Sequence, residues 1–380
     1  MSAARWNEIT ESLRQSIAEG ALRPGDRLPS EKVLAAQWGV CRMTAHRALS
    51  ELERAGLVAR KRRVGTVVRE QQTEEDASPR HVPVPKGAGT RHVALVFFHT
   101  NDFPQVDYAH GFRAGLPGDH HLLFCDTGND AAVEAEYLKR LTREADAIAL
   151  YPTCAPENTP LLREMAERVP LICLDRVPEG LDADGFVTDN YGSTLAALRT
   201  LTARGHRRVA MLTTDRPGVS SVEERQAAYH DALAEAGVAD SESLTARFPR
   251  GLGYDFDIFA QSVHSTLESK MRSPEPPTAL FCLDDFFLAA AVEACDRLKL
   301  RIPEEMEILS FSDYPPLATR LARGVHRVVQ QSREMGRLAA GRLQERLSGQ
   351  QRDGGSEVVR LPARMHAAGE HGVPPVDLLR

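Results

Sequence analysis

The 380-residue chain is poor in aromatic residues, which make up 6% of it, and has no long apolar run. A bilayer-spanning helix needs roughly 20 consecutive apolar residues, so no membrane span is expected. No charged-then-apolar leader opens the chain, and the expectation is a cytoplasmic protein. Six cysteines (Cys41, Cys125, Cys154, Cys173, Cys282 and Cys295) form no Cys-x-x-Cys pair and no zinc-type cluster with histidine, so neither a metal site nor a disulfide framework is expected. Several of them end apolar strands and read as buried thiols of a reducing compartment. A Gly-x-Ser-x-Gly elbow and a His-Glu-x-x-His helix are both missing. Gly87-Ala88-Gly89 precedes a strand and does not follow one, which removes the context of a phosphate loop. Lysine is scarce beyond residue 86, with only Lys139, Lys270 and Lys299, none in a recognisable motif for a cofactor Schiff base. His120-His121 reads as a loop pair. No catalytic residue and no cofactor is therefore expected, and the chain reads as something other than an enzyme.

What is present begins near the amino terminus. Trp6, Ile9, Leu13 and Ile17 recur at three and four residues, an apolar helical stripe that Gly20 and Pro24 end. Ser30 is placed to cap a second helix whose Val33, Leu34 and Trp38 face inward. After the break at Gly39, a third helix from about Cys41 buries Val40, Ala48, Leu49 and Leu52 and leaves Arg42, Thr44, His46 and Arg47 largely on its other side. A short hairpin from Leu57-Val58 to Val64–Val68 follows, with Arg60 to Arg63 in its turn. Two short helices beside a basic ribbon are how a winged helix-turn-helix presents one helix to the major groove and a wing to the flanking groove. Charge is distributed accordingly: residues 1–70 hold 13 Lys and Arg against 8 Asp and Glu, and the rest of the chain is acidic.

Residues 5–69 resemble the GntR-type winged-helix domain, carried by Gly20-Ala21-Leu22-Arg23-Pro24-Gly25, Leu28-Pro29-Ser30-Glu31 and Gly39-Val40-Cys41-Arg42-Met43-Thr44. The resemblance implies DNA contacts from Lys32, Arg42, Thr44, His46 and wing Gly65, with Arg47 adjacent; Arg62 in the basic turn is expected on a phosphate. Three positions depart from the family pattern. Cys41 replaces the usual Ser or Thr cap, His46 replaces an Arg, and Arg63 replaces the first wing Gly, so the operator is expected to differ from the commonest family site.

Residues 70–90 are polar, lack apolar periodicity and hold three prolines, as an interdomain linker does. From residue 91, short apolar runs at 93–98, 122–125, 147–151, 171–174, 209–212, 279–283 and 308–311 alternate with amphipathic stretches. Such runs predict parallel sheets covered on both faces, and seven or more units suggest two lobes. In open sheets of this kind ligands sit beyond the carboxyl ends of the strands. Phe98, Phe103, Asp107, Tyr151 and Asp175 are candidates on that ground.

Residues 91–370 resemble the LacI/GalR effector domain, itself similar to periplasmic sugar-binding proteins. Cys173-Leu174-Asp175-Arg176, Val187-Thr188-Asp189-Asn190-Tyr191-Gly192, Arg204-Gly205-His206-Arg207-Arg208, Pro277 to Asp285, Ile302-Pro303-Glu304-Glu305 and Gln331 to Gly336 carry the likeness. It implies an α/β fold: a small winged helix-turn-helix domain (1–70), a linker (71–90), a two-lobed periplasmic-binding-protein-like domain with parallel sheets (91–370) and a carboxyl-terminal tail (371–380). The pairing of the two resembles the arabinose-repressor architecture. By that resemblance Arg225 forks onto ligand oxygens, Asp284 contacts ligand while Asp285 caps the next helix, and Tyr254 offers an aromatic platform. The competing readings are a surface salt bridge for Arg225 and core packing for Tyr254. Ser312 stands where the family commonly has Asp, and a hydroxyl cannot clamp two sugar hydroxyls as a carboxylate does.

The function implied is an effector-responsive transcriptional repressor of a sugar or related metabolite operon, binding palindromic operator DNA as a homodimer. The alternatives are a sugar-modifying enzyme with an accessory DNA-binding head and a constitutive DNA-binding protein whose body has lost its ligand.

Overall fold

The computed structural model describes residues 3–18, 20–40, 44–45, 48–49, 52, 57–61, 65–68, 91–98, 103–248, 256–311, 313, 324–349 and 355–368. The chain divides into two compact units, Met1–Pro85 and Lys86–Arg380. Arg42, His46, Arg47, Arg62, Tyr254 and Ser312, the expected linker 71–90 and the tail 371–380 lie outside the described residues, as do Cys41 and most of the wing turn.

In the first unit, helix α1 (Ala3–Ala18) buries Ile9, Leu13 and Ile17, the predicted stripe. Helix α2 (Glu31–Trp38) starts where Ser30 accepts a hydrogen bond from the Val33 amide, and it ends at Gly39, whose φ of +60° suits a residue without Cβ. Ala45, Ala48, Leu49 and Leu52 are helical and buried against both helices. Strands β1 (Val58–Lys61) and β2 (Gly65–Val68) pair antiparallel from Val58 opposite Val68 to Lys61 opposite Gly65. Two expectations need correction. Val33 is 45% exposed, because Leu34 and Trp38 share one face and Val33 is rotated by about 100° from Leu34. Arg60 and Lys61 belong to β1 and not to the turn, since the strand register runs to Lys61.

The second unit holds two six-stranded sheets. In the first lobe the order is β13-β7-β6-β5-β3-β4, all parallel. Its strands are β3 (Arg91–Phe97), β4 (His120–Asp126), β5 (Ala147–Tyr151), β6 (Leu171–Asp175), β7 (Asp184–Asp189) and β13 (Val358–Pro362). Helices α3 (Phe103–Gly115), α4 (Ala131–Glu144) and α5 (Thr159–Ala166) join them. The second lobe reads β14-β12-β11-β10-β8-β9, parallel except for the short edge strand β14 (Arg364–His366) against β12 (Val325–Val329). It also contains β8 (Val209–Thr214), β9 (Thr245–Phe248), β10 (Ala279–Cys282) and β11 (Glu307–Phe311), with helices α6 (Asn190–Ala203), α7 (Ser220–Glu235), α8 (Phe256–Met271) and α9 (Asp285–Leu298). Each sheet has an apolar core on both faces, so continuous hydrophobic runs are what these strands require.

The chain passes between lobes three times: from β7 into α6, from β12 into helix α10 (Ser332–Leu347), and from β13 into β14. Helix α10 returns to the first lobe and packs on α3, where a Cβ at Gly115 would lie 2.7 Å from the Ala340 Cβ. Strands β7 and β12 are invisible to an apolar scan because they bury Asp184, Thr188, His326 and Arg327. Asp184, for example, accepts from Arg342 Nη1 at 2.7 Å and Arg346 Nε at 2.8 Å, which pins α10 to its sheet. His120 and His121 lie in β4 and are not loop residues: the edge position of this strand tolerates a polar, half-exposed sequence. Cys125, Cys173, Cys282 and Cys295 are buried and Cys154 half-buried, and burial pushes the Cys154 thiol up to about 11.

At the amino ends of the second-lobe strands, buried Glu307 receives His206 Nε2 at 2.7 Å, His326 Nε2 at 2.6 Å and Arg204 Nη1 at 2.9 Å. The Ala368 amide donates to His326 Nδ1 at 3.2 Å, so Nε2 carries the proton that Glu307 accepts. Burial alone would raise the carboxyl; the hydrogen bonds from His206 and His326 and the charge of Arg204 outweigh it and hold it below its usual 4.5. A depressed folded value means that the stabilisation is complete above pH 4.5 and lost as pH falls through the folded value. The stability difference between wild type and Glu307→Gln, measured by urea unfolding from about pH 7 to about pH 3, is expected to be widest at neutral pH and to narrow in acid. A difference independent of pH would show that Glu307 contributes as a neutral acid.

Candidate functional site

The carboxyl ends of both sheets contribute polar side chains to the space between the lobes. Arg225, on the second turn of α7, is buried, and its neighbours come from three other segments. Its Nε donates to Asn190 Oδ1 at 2.8 Å, its Nη1 donates to the Leu283 carbonyl at 2.8 Å, and its guanidinium carbon lies 3.6 Å from the Phe311 ring centroid. Burial lowers the Arg225 pKa, opposed by the charges of Asp175, Asp313 and Asp284 around it. This arrangement is a site between elements and not the surface salt bridge of the competing reading.

From the first lobe, Asp175 ends β6 with a φ of +66°, a left-handed conformation that Asp tolerates better than most residues. Its Oδ2 accepts from Arg176 Nε at 3.1 Å and its Oδ1 from the Tyr108 hydroxyl at 3.5 Å. Arg176 also donates to the Tyr151 hydroxyl at 3.1 Å, and its guanidinium lies 4.9 Å from the Phe98 ring and 4.8 Å from the Tyr151 ring. Burial and the Asp175 charge raise the Tyr151 phenol well above its usual value, so it stays a neutral donor and acceptor. Behind Tyr151, the buried Glu134 carboxylate takes the Thr153 amide at 2.7 Å, the Thr153 hydroxyl at 2.8 Å and Asn158 Nδ2 at 2.9 Å, and so anchors the segment that follows β5. Glu134→Ala leaves three buried donors unpaired and is expected to cost about 3 kcal/mol, read by urea unfolding.

The structure therefore brings Phe98, Tyr151, Asp175, Arg225 and Asp284 to one region. One assignment within it is reversed: Asp284, not Asp285, caps α9, its Oδ1 accepting from the Phe286 and Phe287 amides at 3.0 and 3.1 Å. Asp284 is the last residue with extended backbone before the helix, the position from which a side chain reaches those amides. Asp285 instead accepts from the Asp313 amide at 3.1 Å. Asp107, on α3, has His110 and Arg333 as its charged neighbours. Phe103 begins α3, just past the end of β3.

Arg176, Asn190, Phe311, Asp313 and Gln330 were missed as site residues. Both Asp313 carboxylate oxygens are taken by Gln330, from its amide and from its Nε2, each at 2.7 Å, and Gln330 Oε1 accepts from the Thr188 hydroxyl at 2.8 Å. This chain of bonds ties β11, the crossing segment after β12, and β7. Arg176 and Asp313 were visible beside Asp175 and Ser312 in the motifs, but no spacing connects Gln330 to either. In the first unit, Lys32 is exposed on the first turn of α2, Thr44 is helical and half-buried, and Gly65 opens β2.

Comparisons with known proteins bear on both units. Residues 6–68 match the gntR family of bacterial regulatory proteins, and residues 198–367 match a periplasmic binding protein-like domain. A 259-residue stretch is 27% identical to the HTH-type transcriptional regulator KdgR of Bacillus subtilis (strain 168), covering 65% of this chain and 70% of that protein. The arabinose metabolism transcriptional repressor of Geobacillus stearothermophilus is 21% identical over 318 residues, 82% of each chain. Other curated relatives are spanned over 65% of their length. Among solved structures, the transcriptional regulator CelR–cellobiose complex aligns with a TM-score of 0.62 at 20% identity, over 90% of this chain and 99% of its own, a likeness of fold. The chain thus carries a gntR-type match ahead of a periplasmic binding protein-like match, and over most of its length it is similar to HTH-type transcriptional regulators and repressors.

Proposed function

We propose that the chain is a cytoplasmic, homodimeric repressor whose second unit binds a small sugar-like effector between its lobes and thereby changes the spacing of two winged-helix heads. The observation that carries this reading is the convergence of Asp175, Arg176 and Tyr151 from one lobe with Arg225 and Asp284 from the other, at the strand ends where the lobes meet. An effector that touches both lobes binds their arrangements unequally, and only unequal binding shifts DNA affinity. Phe98, Tyr254, Ser312 and Asp107 are proposed to line or flank the same site. Dimerisation follows from the need to read two half-sites, because one small head buries too little surface for operator-grade affinity. The domain limits proposed are 1–70, 71–90, 91–370 and 371–380.

Ligand-dependent thermal shift across a sugar and nucleoside library tests the reading, followed by operator mobility shift with each hit, since ligands of the native state raise its stability. A hit that raises the melting temperature and alters operator retardation supports it. Turnover of the hit by purified protein would favour an enzyme.

In the head, Lys32, Arg42, Thr44, His46, Arg47, Arg62 and Gly65 are proposed to meet DNA. Arg42→Ala is expected to weaken operator binding by about 1–3 kcal/mol and change base preference. Arg62→Ala is expected to weaken all sequences alike and to flatten the dependence of affinity on salt. Titrations of operator and scrambled duplex at several salt concentrations separate the two, and unchanged binding by Arg42→Ala would remove it from the reading helix.

A further inference from the structure

The charges in the cleft are not equally matched. Asp175 has Arg176 and the Tyr108 hydroxyl, Asp313 has both oxygens on Gln330, and Asp284 caps a helix. Arg225 is bonded differently. It is 8% exposed, its two hydrogen bonds go to neutral acceptors, and among the described residues neither a carboxylate nor any other partner meets its Nη2. A buried cation without a directly bonded anion is costly, and the nearby carboxylates offset that only through space.

A second observation concerns acceptors. Gln105, on the first turn of α3 and 2% exposed, has a buried Oε1 with no hydrogen-bond partner among the described residues. It lies one helical turn before Tyr108 on the same face, and α3 begins just past the end of β3, so Gln105 stands toward the strand-end side of the Tyr108–Asp175 hydrogen bond. Buried acceptors without donors are rare unless a ligand or water supplies them.

Resting on the effector reading above, we propose that the effector is a polyhydroxylated carboxylate, a sugar acid and not a neutral sugar, whose carboxylate is held by Arg225. A hydroxyl of the same molecule donates to Gln105 Oε1. A carboxylate fits better than a phosphate, because one open guanidinium nitrogen offers few donors to a dianion and Asp175, Asp284 and Asp313 surround it.

Calorimetric titration of the full-length protein with D-gluconate, D-glucuronate and D-galacturonate, each beside D-glucose or D-galactose, and with D-glucose 6-phosphate, tests this. At least one acid is expected to bind about 100-fold more tightly than its neutral counterpart, the size of one lost charge-assisted interaction. Arg225→Gln is expected to remove most of that preference, while Arg225→Lys, which keeps the charge, retains part of it. Equal or tighter binding of the neutral sugar, tighter binding of the sugar phosphate, no binding of any acid, or an acid preference that survives Arg225→Gln would each overturn the proposal. If Arg225→Gln does not fold, the wild-type acid and neutral pairs decide alone. A neutral sugar that binds and releases operator overturns the charge assignment and leaves the repressor reading standing; a protein that retards no operator and binds no probe removes both.

Discussion

Arg225→Ala is expected to abolish the effect of any effector on operator retardation while the effector-free protein still retards operator. The guanidinium joins the end of β10, the end of β11 and the start of α6, and α6 follows one of the three crossings between lobes. Its removal takes away the group proposed to hold the ligand and leaves Asn190 Oδ1 and the Leu283 carbonyl without a donor. Loss of a charge-assisted contact of this kind corresponds to about 2–3 kcal/mol of ligand affinity, or roughly 30- to 150-fold. Calorimetry with the effector found by thermal shift provides the measurement. Full-strength binding by Arg225→Ala would place the ligand elsewhere. Because the side chain is buried, the melting temperature of the variant is measured alongside, and Arg225→Lys serves as the variant that preserves charge.

A stability effect as large as that of Glu134→Ala is expected where helices α3 and α10 touch. A Cβ at Gly111 would overlap the backbone of Arg333, and one at Gly336 would overlap the Tyr108 carbonyl and the Phe112 amide. These neighbours are backbone atoms inside helices and cannot swing aside as a side-chain end can. Gly111→Ala and Gly336→Ala are each expected to destabilise the second unit by about 3 kcal/mol, through forced separation of two packed helices. Gly341 provides the control within the same helix: nothing lies within 4 Å of its Cβ position. There the gain in helix propensity should dominate, and Gly341→Ala is expected to stabilise by about 0.5–1 kcal/mol. Urea unfolding of the three variants checks the signs. A function follows from the packing as well, since α3 carries the Tyr108 hydroxyl to Asp175. Gly336→Ala is therefore also expected to weaken effector binding.

Local patterns were legible wherever burial depends on neighbours in the chain. The stripe of Ile9, Leu13 and Ile17, the Ser30 cap and the Gly39 stop each follow from interactions within a few residues, and they stand as expected. The seven apolar runs became parallel strands for the same reason: a strand covered on both faces must be continuously apolar. Val33 was misplaced because the stripe of α2 is only two turns long and its edge is ambiguous from spacing. Strands β7 and β12 were missed because their polar residues are paired by partners far along the chain, Asp184 by Arg342 and His326 by Glu307.

The sequence by itself determined the two-part organisation, the helices and hairpin of the head, the parallel strands of the body, and the strand-end positions of Tyr151, Asp175 and Asp284. Short-range periodicity and capping chemistry set these, and both are written in consecutive residues. Only the tertiary structure decided that Gln330 clamps Asp313, that Arg176 lies against Phe98 and Tyr151, and that Arg225 is a buried cation bonded to neutral acceptors. Each of those joins residues well separated in the chain that neighbouring parallel strands bring together at their carboxyl ends. The strength of a charge or hydrogen bond there is set by what surrounds it in space, and spacing along the chain carries no record of that.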